Sequence, residues 1–177
     1  MADTPRVLMV VIVVVGLVAV PLTGGSLRRL ATLDLRRAGL IFAGLGVQLA
    51  VTAIFPDLPA TAAELLHLGS YGFVLAFLWS NRHLPGIKVV LAGTLLNLAA
   101  ITANGGTMPA QAGALRTAGI VTEHEFANSG VVEDARLWFL GDVFAVPASW
   151  PFANVFSVGD VLIDAGAIVL LVLSCRP

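Results

Sequence analysis

A chain of 177 residues of which 58% are hydrophobic and only 12% charged, with a mean hydropathy of +0.93, lies outside ordinary soluble usage, where roughly 25% of residues carry charge. A net charge of -1 with Lys88 as the single lysine argues against the basic patch of a nucleic-acid-binding domain. The single cysteine, Cys175, excludes an intrachain disulfide and any multi-cysteine metal site.

The predicted class is an all-α integral membrane bundle: five transmembrane helices at about 7–22, 39–55, 62–79, 87–103 and 156–174, with a long outer loop over 104–155. The first run, Val7 to Leu22, is uncharged, and in lipid a helix satisfies its own backbone groups whereas an isolated strand cannot. A cleaved signal peptide is the rival reading; it lacks a positive leading segment, and Val18-Ala19-Val20-Pro21 is a poor cleavage site. The second span ends at Pro56-Asp57-Leu58-Pro59. Thr61 is placed to cap the third, with Glu64 three residues on, as in a capping box.

Loops rich in Lys and Arg stay cytoplasmic. Arg28, Arg29, Arg36 and Arg37 mark the first loop, Arg82 and Lys88 the third, and Arg176 the tail, whereas the second loop has none. This alternation puts the N-terminus and the region 104–155 outside and the C-terminus inside a bacterial plasma membrane. Phe55, Trp150, Phe152 and Phe156 outside and Trp79 inside suit interfacial aromatic belts.

In the outer region, Pro109 and Gly119 bracket a short predicted helix, Pro109 to Ala118. Asn128-Ser129-Gly130 is a turn signal, and Pro147 and Pro151 keep the approach to the last span extended. The clusters Leu137-Trp138-Phe139-Leu140 and Ser149-Trp150-Pro151-Phe152 favour packing over disorder. Asn104-Gly105-Gly106 reads as a tight helix exit rather than an anion cradle, because it lacks the lysine of a phosphate loop. Ser149 and His124 have no nucleophile-elbow pattern around them.

Polar residues within spans are costly unless partnered. Glu64, His67, Gln48, Asn97, Asp160 and Asp164 all fall within roughly 10 Å of the outer boundary at the α-helical rise. Glu64, His67 and Tyr71 share one helical face, and Asp160 and Asp164 another. The candidate binding set is Glu64, His67, Asn97, Asn104, Asp160 and Asp164: an outward polar pocket for a cation or a polar ligand group. The alternative is structural: Glu64 and Asp160 are boundary residues, Asp160 caps the last helix, and His67 and Asp164 are hydrogen-bonded to Gln48 or Asn97. One histidine among scattered carboxylates has no diagnostic metal-ligand spacing, and no cofactor is specified. Asp164, the deepest acid, should be either neutral or paired with His67, and should matter more than Asp142, expected in water.

Asn104-Gly105-Gly106-Thr107-Met108-Pro109, then Phe139-Leu140-Gly141-Asp142, then Ser157-Val158-Gly159-Asp160 entering the last span resembles a bacterial family of small multi-span membrane proteins of unknown function. The resemblance implies a bacterial plasma-membrane protein whose signature lies on the outer face; it implies no activity, cofactor or catalytic residue. The functional expectation is a non-enzymatic module that binds a small ligand, lipid or partner protein on its outer face, besides the bilayer itself and without nucleic acid. The alternatives are an interfacial enzyme built on the carboxylate and histidine cluster, or a small transporter subunit, the latter weakened by the short chain and odd number of spans.

Overall fold

Uncharged apolar runs can satisfy their backbone groups internally as helices, and the chain is mostly helical. The computed structural model describes residues 5–55, 58–120 and 129–176. Its helices are α1 (Pro5–Leu22), α2 (Gly39–Leu49), α3 (Ala60–Ser80), α4 (Ile87–Ala103), α5 (Ala112–Ala118) and α6 (Val158–Ser174). Among the described residues one helix, α3, is long and apolar enough to cross a membrane, through Thr61–Ser80. The regular turns of α2 give way to wider ones over Ala50–Ile54, where the Phe55 N–H reaches back to the Ala50 carbonyl. Helices α4 and α6 stop at 17 residues, short of the roughly 20 that span comfortably. Helix length therefore does not by itself carry the expected five spans.

The long helices pack in the succession α2, α3, α4, α6, α1. Helix α4 lies between α3 and α6, and α1 sits peripherally, as its lack of polar residues predicts. Helices α4 and α6 run antiparallel and make the closest approach, described below. Helix α1 lies parallel to α6, with Gly16 against Ile168 and Leu171. The arginine-rich loop, the C-terminus and the start of α4 consequently meet at one end: the Ser26 N–H donates to the Cys175 carbonyl at 2.9 Å, and Arg29 Nη1 to the Arg176 carbonyl at 2.6 Å.

At the opposite end, residues 104–120 and 129–157 fold over α4 and α6. Strand β1 (Met108–Pro109) pairs in parallel with β2 (Ser129–Gly130), and β3 (Phe144–Val146) pairs antiparallel with β4 (Asn154–Phe156), stacking Phe144 on Phe156 at 5.3 Å. Helix α5 rests on this hairpin, and a 3-10 turn covers Trp138–Leu140. Two expectations are corrected here. Pro109 does not open a helix: it lies in β1, its carbonyl accepting from the Asp142 N–H at 2.8 Å, and α5 starts after Gln111. Ser129–Gly130 is a strand rather than part of a turn. Asn128, His124 and Pro56-Asp57 lie outside the described residues.

Candidate functional site

The site begins with how closely α4 and α6 meet. A Cβ on Gly159 would come 2.6 Å from Asn97 Cγ and 2.8 Å from the Gly93 carbonyl oxygen, and one on Gly166 would come 2.7 Å from the Val90 nitrogen. Gly86 and Gly93 on one side thus face Gly166 and Gly159 on the other, each pair two turns apart. Only glycine lets two helix backbones come this close, and the approach brings the amide of Asn97 onto the first turn of α6.

That first turn is locked. The Ser157 hydroxyl accepts from the Asp160 N–H at 3.0 Å, while the Asp160 carboxylate accepts from the Ser157 N–H at 2.9 Å, a reciprocal capping box. Asn97 Nδ2 donates to Asp160 Oδ1 at 2.7 Å. The single Ser157 hydroxyl proton lies within reach of both Asn97 Oδ1, at 2.9 Å, and Asp160 Oδ2, at 2.8 Å. Both carboxylate oxygens are therefore engaged inside the protein. Asp160 ties the helix end together from the third position of the box, whereas the cap itself is Ser157 rather than Asp160.

The remaining predicted residues flank this network without converging on it. Asn104 ends α4: Nδ2 donates to the Ala100 carbonyl and to the Arg136 carbonyl, each at 2.7 Å, and Oδ1 accepts from the Arg136 N–H at 2.9 Å. Gly105 and Gly106, both at positive φ, complete the exit turn, as their sequence indicated. The capping box expected at Thr61 and Glu64 is absent: α3 starts at Ala60 after Pro59, without a side-chain cap. The Glu64 side chain instead lies against Gly106, where a Cβ would come 2.8 Å from its Cγ.

His67 is buried, edge-on to Tyr71 with ring centroids 5.5 Å apart, and is bonded to neither Gln48 nor Asn97 through its ring. Gln48 reaches Ser70 instead, at 3.1 Å, and Ser70 donates to the His67 carbonyl at 2.6 Å. Asp164 is half-buried one turn beyond Asp160. Among the described residues no group of three His, Cys, Asp or Glu side chains is placed to hold a metal ion. Asn97 and Asp160 thus meet directly, whereas Glu64, His67 and Asn104 have their nearest described partners elsewhere.

Two polar residues outside the candidate set prove structural. Asp142, expected in water, is 5% exposed. It accepts a short hydrogen bond from Ser129 Oγ, and its backbone joins Pro109 to Gln111. Burial pushes its carboxyl up to about 6, the Ser129 hydroxyl working against this and the charge of Asp160 with it. Asn81, fully buried at the end of α3, donates from Nδ2 to the Arg36 and Phe77 carbonyls and accepts the Arg36 N–H on Oδ1, all at 2.8 Å. This repeats, at the opposite end of the fold, what Asn104 does with Arg136. An asparagine just past a helix end was the available signal for Asn81; for Asp142 it was its place in the Phe139-Leu140-Gly141-Asp142 motif.

These features define a small, mostly helical protein in which the segment between α4 and α6 is stitched over the C-terminal end of α4 and the N-terminal end of α6. The chain belongs to the family of unknown function DUF5317, whose model matches residues 32–172, a range that takes in α2 to α5 and most of α6. An uncharacterized protein of Thermotoga maritima is 32% identical over 102 residues, which is 58% of this chain and 59% of that protein. The chain thus matches less than two thirds of that relative's length. No solved structure matches it.

Proposed function

We propose that this chain is an integral protein of a bacterial plasma membrane, spanning it with α1, α2 and its wider-turn extension, α3, α4 and α6, with the N-terminus outside. In this reading it is a non-enzymatic module whose outer region, 104–157, binds a small ligand, lipid or partner protein. The observation that carries it is an inverted distribution of side chains. The outward stripe of α6 is Val161, Ala165, Val169 and Leu173, whereas its inward positions include Gly159 and Gly166. On α4, Val89, Ala92, Leu95 and Ala99 face out while Gly93, Thr94, Asn97 and Ala100 are buried. Water selects the opposite arrangement, and lipid selects this one: glycines and polar residues join the helices, and apolar residues from alanine to leucine meet the solvent. Seventeen residues lie at the short end of what spans a bilayer, and the arginines gathered at one end fit the cytoplasmic face.

A binding role is favoured over catalysis because Asp160 and Ser157 spend their polar atoms on each other and on Asn97, leaving neither a free base nor a free nucleophile there. The test uses a Cys175→Ala background with Ser149→Cys or Ser26→Cys, both exposed positions. A membrane-impermeant thiol reagent should label Ser149→Cys in intact cells and Ser26→Cys only after lysis. The reverse pattern overturns the orientation, and recovery of the protein in the soluble fraction overturns the membrane reading.

A further inference from the structure

The segment Leu137-Trp138-Phe139 presents two large rings to the surroundings, Trp138 at 56% exposure and Phe139 at 53%, set edge to face with centroids 6.1 Å apart. The rings are not there through slack in the chain, because the segment is held on both sides. Upstream, Asn104 grips both backbone groups of Arg136. Downstream, a Cβ on Gly141 would come 2.9 Å from the Pro109 ring, and Asp142 is hydrogen-bonded to Pro109 and Gln111. Between these clamps Leu137 takes a left-handed conformation, φ 52 and ψ 33, which is unfavourable for a residue with a branched side chain. Backbone strain that delivers two aromatic rings to water makes no sense for folding in water alone.

Depth supplies the partner. Leu140, the next residue, packs against the cluster formed by Ala100 and Ile101 of the last turn of α4 and Met108 of β1, so Trp138 and Phe139 sit at the level where α4 ends. We propose that Leu137-Trp138-Phe139 is an interfacial anchor that inserts into the outer leaflet at the level of the lipid headgroups and upper acyl chains. This rests on the membrane reading above. Tryptophan suits that layer because its ring is apolar and its indole N–H still finds a hydrogen-bond acceptor there. The other end of the fold has a matching element, Trp79, 59% exposed with the Arg82 guanidinium 4.5 Å from its ring centroid.

The chain has three tryptophans, so single-tryptophan proteins are accessible: Trp79→Phe with Trp150→Phe leaves Trp138, and Trp138→Phe with Trp150→Phe leaves Trp79. Each is reconstituted into phosphatidylcholine vesicles that are plain, brominated high on the acyl chain, or brominated near the chain end. Trp138 emission should fall roughly twofold with bromines high on the chain and less with bromines near the chain end, as an interfacial ring requires. If Trp138 is unquenched while Trp79 is quenched, the anchor is overturned and the segment faces water or a protein partner, with the membrane reading intact. If neither is quenched, both readings fall. Stronger quenching from the chain end also overturns the anchor, as it puts the ring in the bilayer core. Wild type against Trp138→Phe, read as loss of the quenchable emission, gives the same answer in nearly native protein.

Discussion

The side-chain amide of Asn81 pairs with both backbone groups of Arg36, substituting for a strand neighbour at the end of α3 while also accounting for the Phe77 carbonyl. It thereby fixes where the arginine-rich segment before α2 lies against α3. Asn81→Ala takes the partner from the Arg36 N–H and carbonyl in a part-buried place, while the Phe77 carbonyl keeps the backbone N–H of residue 81; a lost hydrogen bond costs about 0.5–1.5 kcal/mol, and more where the group stays shut off from water. The melting midpoint in detergent should drop by several degrees, about as much as two such losses require. A midpoint equal to wild type would show that water takes over the pairing.

Gly159→Ala should be among the most damaging single substitutions in the chain. The added methyl runs into Asn97, so α4 and α6 must separate and the Asn97 to Asp160 hydrogen bond must stretch. Gly72→Ala is the control, because nothing lies within 4 Å of its Cβ position, and in a helix interior alanine is favoured over glycine by about 1 kcal/mol. Adding Asn97→Ala to Gly159→Ala should restore part of the loss, with the Gly93 carbonyl still in the way. Melting midpoints of the four proteins test the set; equal behaviour of Gly159→Ala and Gly72→Ala would refute the close approach.

Asp160→Ala should destabilise more than Asp164→Ala, although Asp164 lies one turn deeper along α6. Removing Asp160 takes away the capping partner of the Ser157 N–H and the acceptor of Asn97 Nδ2, and losing a cap costs about 1 kcal/mol before the buried amide is counted. Asp164 is half-buried and, among the described residues, takes part in no such side-chain network. Urea or thermal unfolding in detergent decides between them.

Asp142 gives the segment between α4 and α6 a pH dependence of definite sign. Its folded value is raised from 3.8 to about 6, so the folded state holds the proton more tightly than the unfolded chain. Stability is then greatest where the group is protonated in both states and falls as pH rises through about 6. In Asp142→Asn the amide oxygen can still accept from Ser129 and no charge is buried. The difference in melting midpoint between Asp142→Asn and wild type should therefore be larger at pH ~7 than at pH ~4.5, with the variant gaining on wild type as pH rises. A difference constant across that window would mean Asp142 is more open to solvent than the structure has it.

Composition and periodicity determined that the chain is helical, roughly where its long apolar helices lie, and which loops carry the arginines, because those are properties of contiguous residues and of their spacing along one helix. The exit turn at Gly105-Gly106 was equally local, since positive φ is a property of the residue itself. What tertiary structure decided is which polar groups meet. Glu64, His67 and Asp164 look like one cluster when each is placed only by depth, but depth leaves rotation about the helix axis and neighbour choice free. Those are set by Gly86, Gly93, Gly159 and Gly166, which draw α4 and α6 together and turn Asn97 toward Asp160. The burial of Asp142, expected in water, and the role of Asn81 were illegible for the same reason: their partners, Ser129 and Arg36, are brought to them by chain segments that fold back from elsewhere in the sequence, and no local pattern encodes that return.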